Sequence, residues 1–178
     1  MKKTLDYIWD FLESITFALG IFVVVYLFLF RPSVVFGMSS YPTIKPEEKV
    51  ISEKISYYLH ALNRGDFVIL QSPKNSEVDF IKRIVGLSGE KLKISNGKVF
   101  INGGLLDESY LYEGTFTAPE SYLAENSETL IPDGHFFVMG DNREHSSDSR
   151  EFGPVSQDNI VGRVLYRFWP IDRIGTIN

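Results

Sequence analysis

Hydrophobic and polar positions follow three regimes along the chain. From Ile15 to Phe30 the sequence ITFALGIFVVVYLFLF runs sixteen residues without a charge. It is apolar all round a helix rather than along one stripe. At 1.5 Å per residue the run covers about 24 Å, so Phe11, Leu12 and Ser14 must help it reach the roughly 30 Å of a bilayer's hydrocarbon layer. This predicts a transmembrane anchor. A cleaved export signal has a core of similar length, but the run ends in Phe30-Arg31-Pro32 with no small residues at A-x-A spacing. Lys2 and Lys3 precede the run and Arg31 follows it. That two-to-one count favours a cytoplasmic amino terminus, with the remainder outside.

Beyond Arg31 the period shortens to two. The predicted strands are Lys49 to Ile55, Phe67 to Gln71, Asp79 to Val85, Lys91 to Ser95, Lys98 to Ile101, His135 to Met139 and Gly162 to Phe168. In KLKIS-NG-KVFIN the Asn96-Gly97 pair supplies the positive φ angles of a two-residue hairpin turn. Residues 103–130 are polar, aromatic and acidic without a period, and read as a long surface excursion with room for one short strand. Tyr57 to Asn63 is a candidate helical turn. The expected organisation is a tail and anchor over residues 1–31, then one mainly β extracytoplasmic domain over 32–178.

Composition narrows the chemistry. The 178 residues are 44% hydrophobic and 23% charged, with a net charge of −5 and no Cys. Disulfides and Cys-ligated metals are excluded, and nothing basic enough for nucleic acid is present. The three His lack ligand spacing, no phosphate loop occurs, and any Ser-His-Asp triad drawn on paper is unspecific.

Three stretches carry more reactive side chains than strand propensity explains. The first, Gly37-Met38-Ser39-Ser40-Tyr41-Pro42-Thr43-Ile44, follows the anchor closely; taken alone it is equally a turn. In the second, Asp79-Phe80-Ile81-Lys82-Arg83-Ile84-Val85-Gly86, alternation puts Lys82 beside Phe80 and Ile84 while Asp79, Ile81 and Arg83 point the other way. Lys82 either snorkels from a sheet edge or is buried and acts as a base. A lysine near pKa 10.4 is neutral in only about 0.04% of molecules at pH 7, so the second reading needs burial without an acidic partner. The third stretch, Gly140 to Arg150, is eleven consecutive polar residues after the apolar HFFVM. It is a solvated loop or a site, fixed by Asp148–Arg150 or Asp141–Arg143 pairing.

In this order after an anchor, the stretches resemble the bacterial type I signal peptidase family, membrane-bound serine proteases with a Ser/Lys dyad. The family pattern G-x-S-M-x-P-T is matched by GMSSYPT, and the three-residue step to Pro42 selects Ser39 over Ser40. D-x-x-K-R-x-x-G is matched by DFIKRIVG, and G-D-N-R-x-x-S-x-D-S-R by GDNREHSSDSR in full. Arg64-Gly65-Asp66, Gly153-Pro154-Val155 and Phe168-Trp169-Pro170 add support, so the resemblance covers most of the chain from Phe11 to Pro170.

The resemblance implies Ser39 as nucleophile, Lys82 as general base, Ser146 as the serine that orients the lysine, and Asp148–Arg150 as a structural ion pair. It further implies substrate bound as an added strand, with Val35, Ile44 and Ile81 at shallow pockets for small residues at the first and third positions before the cut. The Ser39 N–H would be one oxyanion donor. Phe168 and Trp169 would dip into the lipid interface or pack in the core. No cofactor or metal is called for, and the partners are signal peptides and the bilayer, with the enzyme acting as a monomer. Two departures stand out: Ser40 replaces the family Met at the first pocket, and Gly37 stands where some members carry a second oxyanion donor. Ser88 and Glu90 likewise replace the Pro and Asp of the turn after the lysine motif. Ser40 and Gly37 leave open a catalytically silent relative that binds export signals or escorts another peptidase. A self-cleaving Ser/Lys regulator fits poorly with an anchor.

Overall fold

The computed structural model describes residues 2–54, 61–75 and 77–177. Helix α1 spans Lys2–Leu29. Its stretch Tyr7–Tyr26 is long and apolar enough to cross a bilayer, and none of it is covered by the rest of the chain. The Ser14 and Thr16 hydroxyls donate back to the Asp10 and Leu12 carbonyls at 2.8 Å. Both are thereby satisfied within the helix, as a waterless surrounding requires. Phe30, the last residue of the apolar run, does not belong to the helix. It opens strand β1 (Phe30–Val34), because Pro32 cannot continue a helical ladder and drives Arg31 toward extended backbone. The helix therefore passes into the sheet with no linker.

The other strands are β2 (Lys49–Glu53), β3 (Phe67–Gln71), β4 (Asp79–Gly86), β5 (Lys91–Ser95), β6 (Lys98–Ile101), β7 (Gly104–Leu105), β8 (Glu128–Leu130), β9 (His135–Met139), β10 (Val155–Ser156), β11 (Ile160–Trp169) and β12 (Gly175–Thr176). A single helical turn, α2 (Ser149–Phe152), lies between β9 and β10. The mainly β architecture agrees with the sequence pattern. β11 extends past both expected ends, and the excursion contributes two short strands rather than one. The candidate turn at Tyr57 to Asn63 falls mostly outside the described residues.

One sheet has the order β1-β2-β11-β3-β4-β9-β10, with β12 added on β11; a second has the order β7-β6-β5-β8. The hairpin at Asn96-Gly97 has φ of 50° and 72°, the left-handed pair that a tight turn between β5 and β6 demands. β3 reads FVIL without alternation because both of its faces are covered. Val68 and Leu70 join Ile84, Val138 and Ile160 on one side. Phe67 and Ile69 join Val35, Ile44, Val50 and Val164 on the other. A third cluster, with Val85, Phe137 and Met139 against Leu92, Ile94 and Val99, joins the two sheets.

Two sheet edges define the site. β1 ends the order and pairs only with β2. β4 pairs with β3 along Asp79 to Arg83, but with β9 only from Arg83 onward. Residues Asp79 to Lys82 thus present one edge with no partner strand among the described residues.

Candidate active site

A cleft of about 720 Å³ lies between β1 with the segment that follows it and the unpaired part of β4. Ser39 and Lys82 both line it, as do Val35, Ser40 and Ile81. Ile44 is fully buried one layer behind, against Val35 and Ile69, so it supports the cleft floor rather than forming it.

Lys82 is 2% exposed and its Nζ lies 3.0 Å from Ser146 Oγ. It stands 5.2 Å from the centre of the Phe80 ring, on the face that strand alternation assigns it. No carboxylate forms an ion pair with it among the described residues. Burial therefore dominates, and the ammonium's pKa falls from 10.5 to about 8. Asp148 opposes that shift and Arg150 adds to it, both acting at longer range. At pH 7 about one molecule in ten then carries a neutral amine, roughly two hundred times the fraction for an ordinary lysine.

The adjacent serines are sharply different. Ser40 is 3% exposed and its hydroxyl donates to the Ile81 carbonyl at 3.0 Å, which fixes it to β4. Ser39 is half-buried on the cleft wall, and neither its hydroxyl nor its N–H has a hydrogen-bond partner among the described residues. Its carbonyl accepts from the Asn142 N–H at 3.0 Å, while Asn142 Nδ2 donates to the Met38 carbonyl at 3.1 Å. The polar loop therefore holds the Ser39 segment by its backbone and leaves the side chain free.

That loop is almost dry. Arg150 donates to both Asp148 carboxylate oxygens at 2.8 and 2.9 Å, with both side chains wholly buried. The same carboxylate accepts from the Gly140 N–H at 3.1 Å. A Cβ on Gly140 would sit 2.4 Å from the Ser39 carbonyl oxygen and 2.3 Å from Ser146 Oγ. Glycine at 140 is what lets the loop touch the Ser39 segment and Ser146 at once. The alternative pairing of Asp141 with Arg143 does not occur. Asp141 instead receives two bonds of 2.9 Å from Arg83, which is stacked between Phe67 and Tyr110. Arg143 turns outward to Glu108, Thr117 and Tyr110 of the excursion. Arg83 reaches Asp141 because it shares the Asp79–Ile81 face of β4, opposite to Lys82.

The excursion is thus the outer support of the loop, a role its aperiodic sequence concealed. Ala118 and Glu120 reach Arg150, and the Tyr122 and Leu123 N–H groups donate to its carbonyl. Of the two turn departures, Glu90 fits well: it accepts from the Leu87 N–H at 2.7 Å and pairs with Arg64. Trp169 is 47% exposed near the carboxyl end, with Lys49 over its ring.

An apolar helix left uncovered by the described residues, joined to a β domain whose cleft is lined by both a serine and a buried lysine, has the make-up of a membrane-anchored serine hydrolase. Comparison with known proteins narrows this class. The family described as signal peptidase, peptidase S26, matches residues 8–169. Signal peptidase IB of Staphylococcus aureus is 36% identical over 181 residues, covering 96% of this chain and 92% of its own. A probable signal peptidase I-2 of Synechocystis is 39% identical over 141 residues, covering 76% of this chain and 62% of its own. The crystal structure of a signal peptidase I from Enterococcus faecalis is 30% identical, with a TM-score of 0.49 over 58% of this chain and 96% of that one. The chain belongs to the signal peptidase family, serine proteases that remove signal peptides from exported preproteins.

Proposed function

We propose that the chain cleaves preproteins with Ser39 as nucleophile and Lys82 as general base. The observation that carries this reading is the Lys82 side chain: buried, without a carboxylate partner, held by Ser146, and opening onto the same cleft as Ser39. Neutral Lys82 takes the Ser39 proton as the Ser39 oxygen attacks the carbonyl carbon of the residue before the cut. The protonated amine then gives its proton to the leaving amine of the mature chain. Lys82, neutral again, deprotonates the water that releases the acyl group from Ser39. The free Ser39 N–H points to one oxyanion donor.

Substrate enters as an extended strand between the β1 and β4 edges, with main-chain pairing giving affinity. Val35 and Ile81 form the apolar floor for small side chains, and Ser40 is part of the wall, its hydroxyl committed to Ile81. Asp148 and Arg150 set the loop that carries Ser146. The amino terminus lies in the cytoplasm and the β domain outside, where Trp169 and the neighbouring exposed Ile171 rest in the lipid interface. The cleft is built from one chain, and the enzyme works as a monomer.

Cleavage of a preprotein by the full-length protein in detergent tests the assignment. Ser39→Ala and Lys82→Met should each lower kcat/KM by about 10⁴-fold or more, while Ser40→Ala should lose no more than about tenfold, the worth of one hydrogen bond. The wild-type kcat/KM should rise with pH through about 8, because Lys82 works unprotonated and its pKa is lowered. Full activity in Ser39→Ala, or an acidic limb near that of an ordinary lysine, refutes the dyad.

A further inference from the structure

At the end of the cleft away from Ser39, Arg31 of β1 and Asp79 of β4 meet at 3.1 Å. β1 and β4 are not neighbours in the sheet, so this ion pair spans the gap between the two unpaired edges. Both side chains remain partly open to solvent, at 45% and 31% exposure. Strand alternation places Arg31 on the face that carries Val35, and Asp79 on the face that carries Ile81. The row of side chains that forms the apolar floor therefore ends in a charged pair. Of the residues lining the cleft, Arg31, Glu77, Asp79 and Lys82 are charged, and Lys82 lies at the opposite end.

We propose that the Arg31–Asp79 pair reads charge at the fifth substrate residue before the cut. The inference rests on the reading that substrate lies as a strand between β1 and β4 with the cut at Ser39. α1 ends at Leu29, so the Arg31 end faces the bilayer, from which the apolar part of a signal peptide arrives. Residues before the cut therefore extend from Ser39 toward Arg31 and Asp79. Ile81 lies on the floor shared by the first and third positions, and Asp79 comes two residues, about 6.6 Å, further along the same face, which carries that floor on to the fifth. The first, third and fifth positions share a face, so the fifth side chain points at the floor where the floor becomes charged. The intact pair cancels its own two charges there and leaves exposed Glu77 as the other charge next to it on the cleft lining. With one partner removed, the remaining charge favours its opposite in the substrate.

The test measures kcat/KM for preproteins carrying Lys or Glu at the fifth position, and separately at the fourth, using full-length protein in detergent. The quantity read is the Lys-to-Glu ratio, which cancels any general loss of activity or folded fraction. Arg31→Ala should raise the ratio at the fifth position, Asp79→Ala should lower it, and the double variant should return it toward the wild-type value. The expected change is about three- to tenfold, the range of a partly exposed charge pair. At the fourth position, whose side chain faces away, the ratio should not move. An unchanged ratio at the fifth position, or equal changes at both, overturns the proposal. Cleavage that survives Ser39→Ala would instead overturn the reading beneath it.

Discussion

The most polar stretch of the chain and the most apolar one occupy inverted environments. From Gly140 to Arg150 eleven consecutive polar residues fold inward, and only Glu144 and His145 are exposed. From Tyr7 to Tyr26 the anchor keeps every side chain uncovered by protein. The two solve the same desolvation problem in opposite ways. The anchor satisfies its backbone within one helix and presents apolar atoms to its surroundings. The loop must satisfy each buried polar atom individually, and no buried side-chain nitrogen or oxygen among the described residues lacks a partner. The anchor's identity therefore lies in its composition, and the loop's in its geometry. Substitutions should be absorbed in the first and costly in the second.

The largest effect on stability is expected at Asp148. Asp148→Ala leaves the wholly buried Arg150 guanidinium with only Glu120 at 3.5 Å and carbonyl oxygens, and strips the Gly140 N–H of its acceptor. Removing one partner of a buried pair costs about 3–5 kcal/mol, so Tm by calorimetry should fall sharply. The milder Asp148→Asn removes the larger of the two carboxylate influences that raise the Lys82 pKa, leaving Glu120, and keeps Arg150, which lowers it. The acidic limb of kcat/KM should then move below about 8 in whatever fraction folds.

Lys82→Met should have the next largest effect, with the opposite sign. The native pKa of Lys82 lies below its unfolded value, so the folded state binds fewer protons between about 8 and 10.5. Below pH 8 the buried charge costs the fold about 3 kcal/mol, and that cost fades as pH rises toward 10.5. The variant should therefore be more stable than wild type at pH 7, with the two converging near pH 10.5 in denaturant titrations. A variant less stable than wild type at pH 7 would mean that Lys82 carries no desolvation penalty.

How much was legible beforehand follows the same contrast. The anchor was readable because its signal is additive over sixteen residues, and only its end at Phe30 was misplaced, where Pro32 decides locally. The strands β3, β5, β6 and β9 were readable because their period or apolar run reports burial directly. Alternation put Lys82 on the face of Phe80 and Ile84, but its burial rather than snorkelling is decided only by the Ser146 loop packed against it. The partners of Asp141 and Arg143 were not legible, since a spacing of two residues suits either pairing; stacking of Arg83 between Phe67 and Tyr110 decides it in three dimensions. Nor was the supporting role of the excursion legible. Its contacts at Glu108, Tyr110, Thr117, Ala118 and Glu120 are isolated polar ones with no period to announce them.

The smallest effect is expected at Gly20, and it is the clearest test because the same substitution at Gly140 should be among the most harmful to activity. A Cβ at Gly20 meets nothing within 4 Å. In a helix interior alanine is favoured over glycine by about 1 kcal/mol, and the β domain does not contact that residue, so Gly20→Ala should leave Tm of the domain and kcat/KM unchanged. At Gly140 the added carbon meets the Ser39 carbonyl oxygen and Ser146 Oγ, so the loop must retreat from the Ser39 segment, from the serine holding Lys82, or from both. Displacement of about 1 Å in such a constellation costs about 10²-fold, and with substrate placed as proposed, along edges that Gly140 does not form, the loss should fall mainly on kcat. Equal effects at the two glycines would mean that the polar loop yields as readily as the anchor, and that its buried bonds do not hold the site in place.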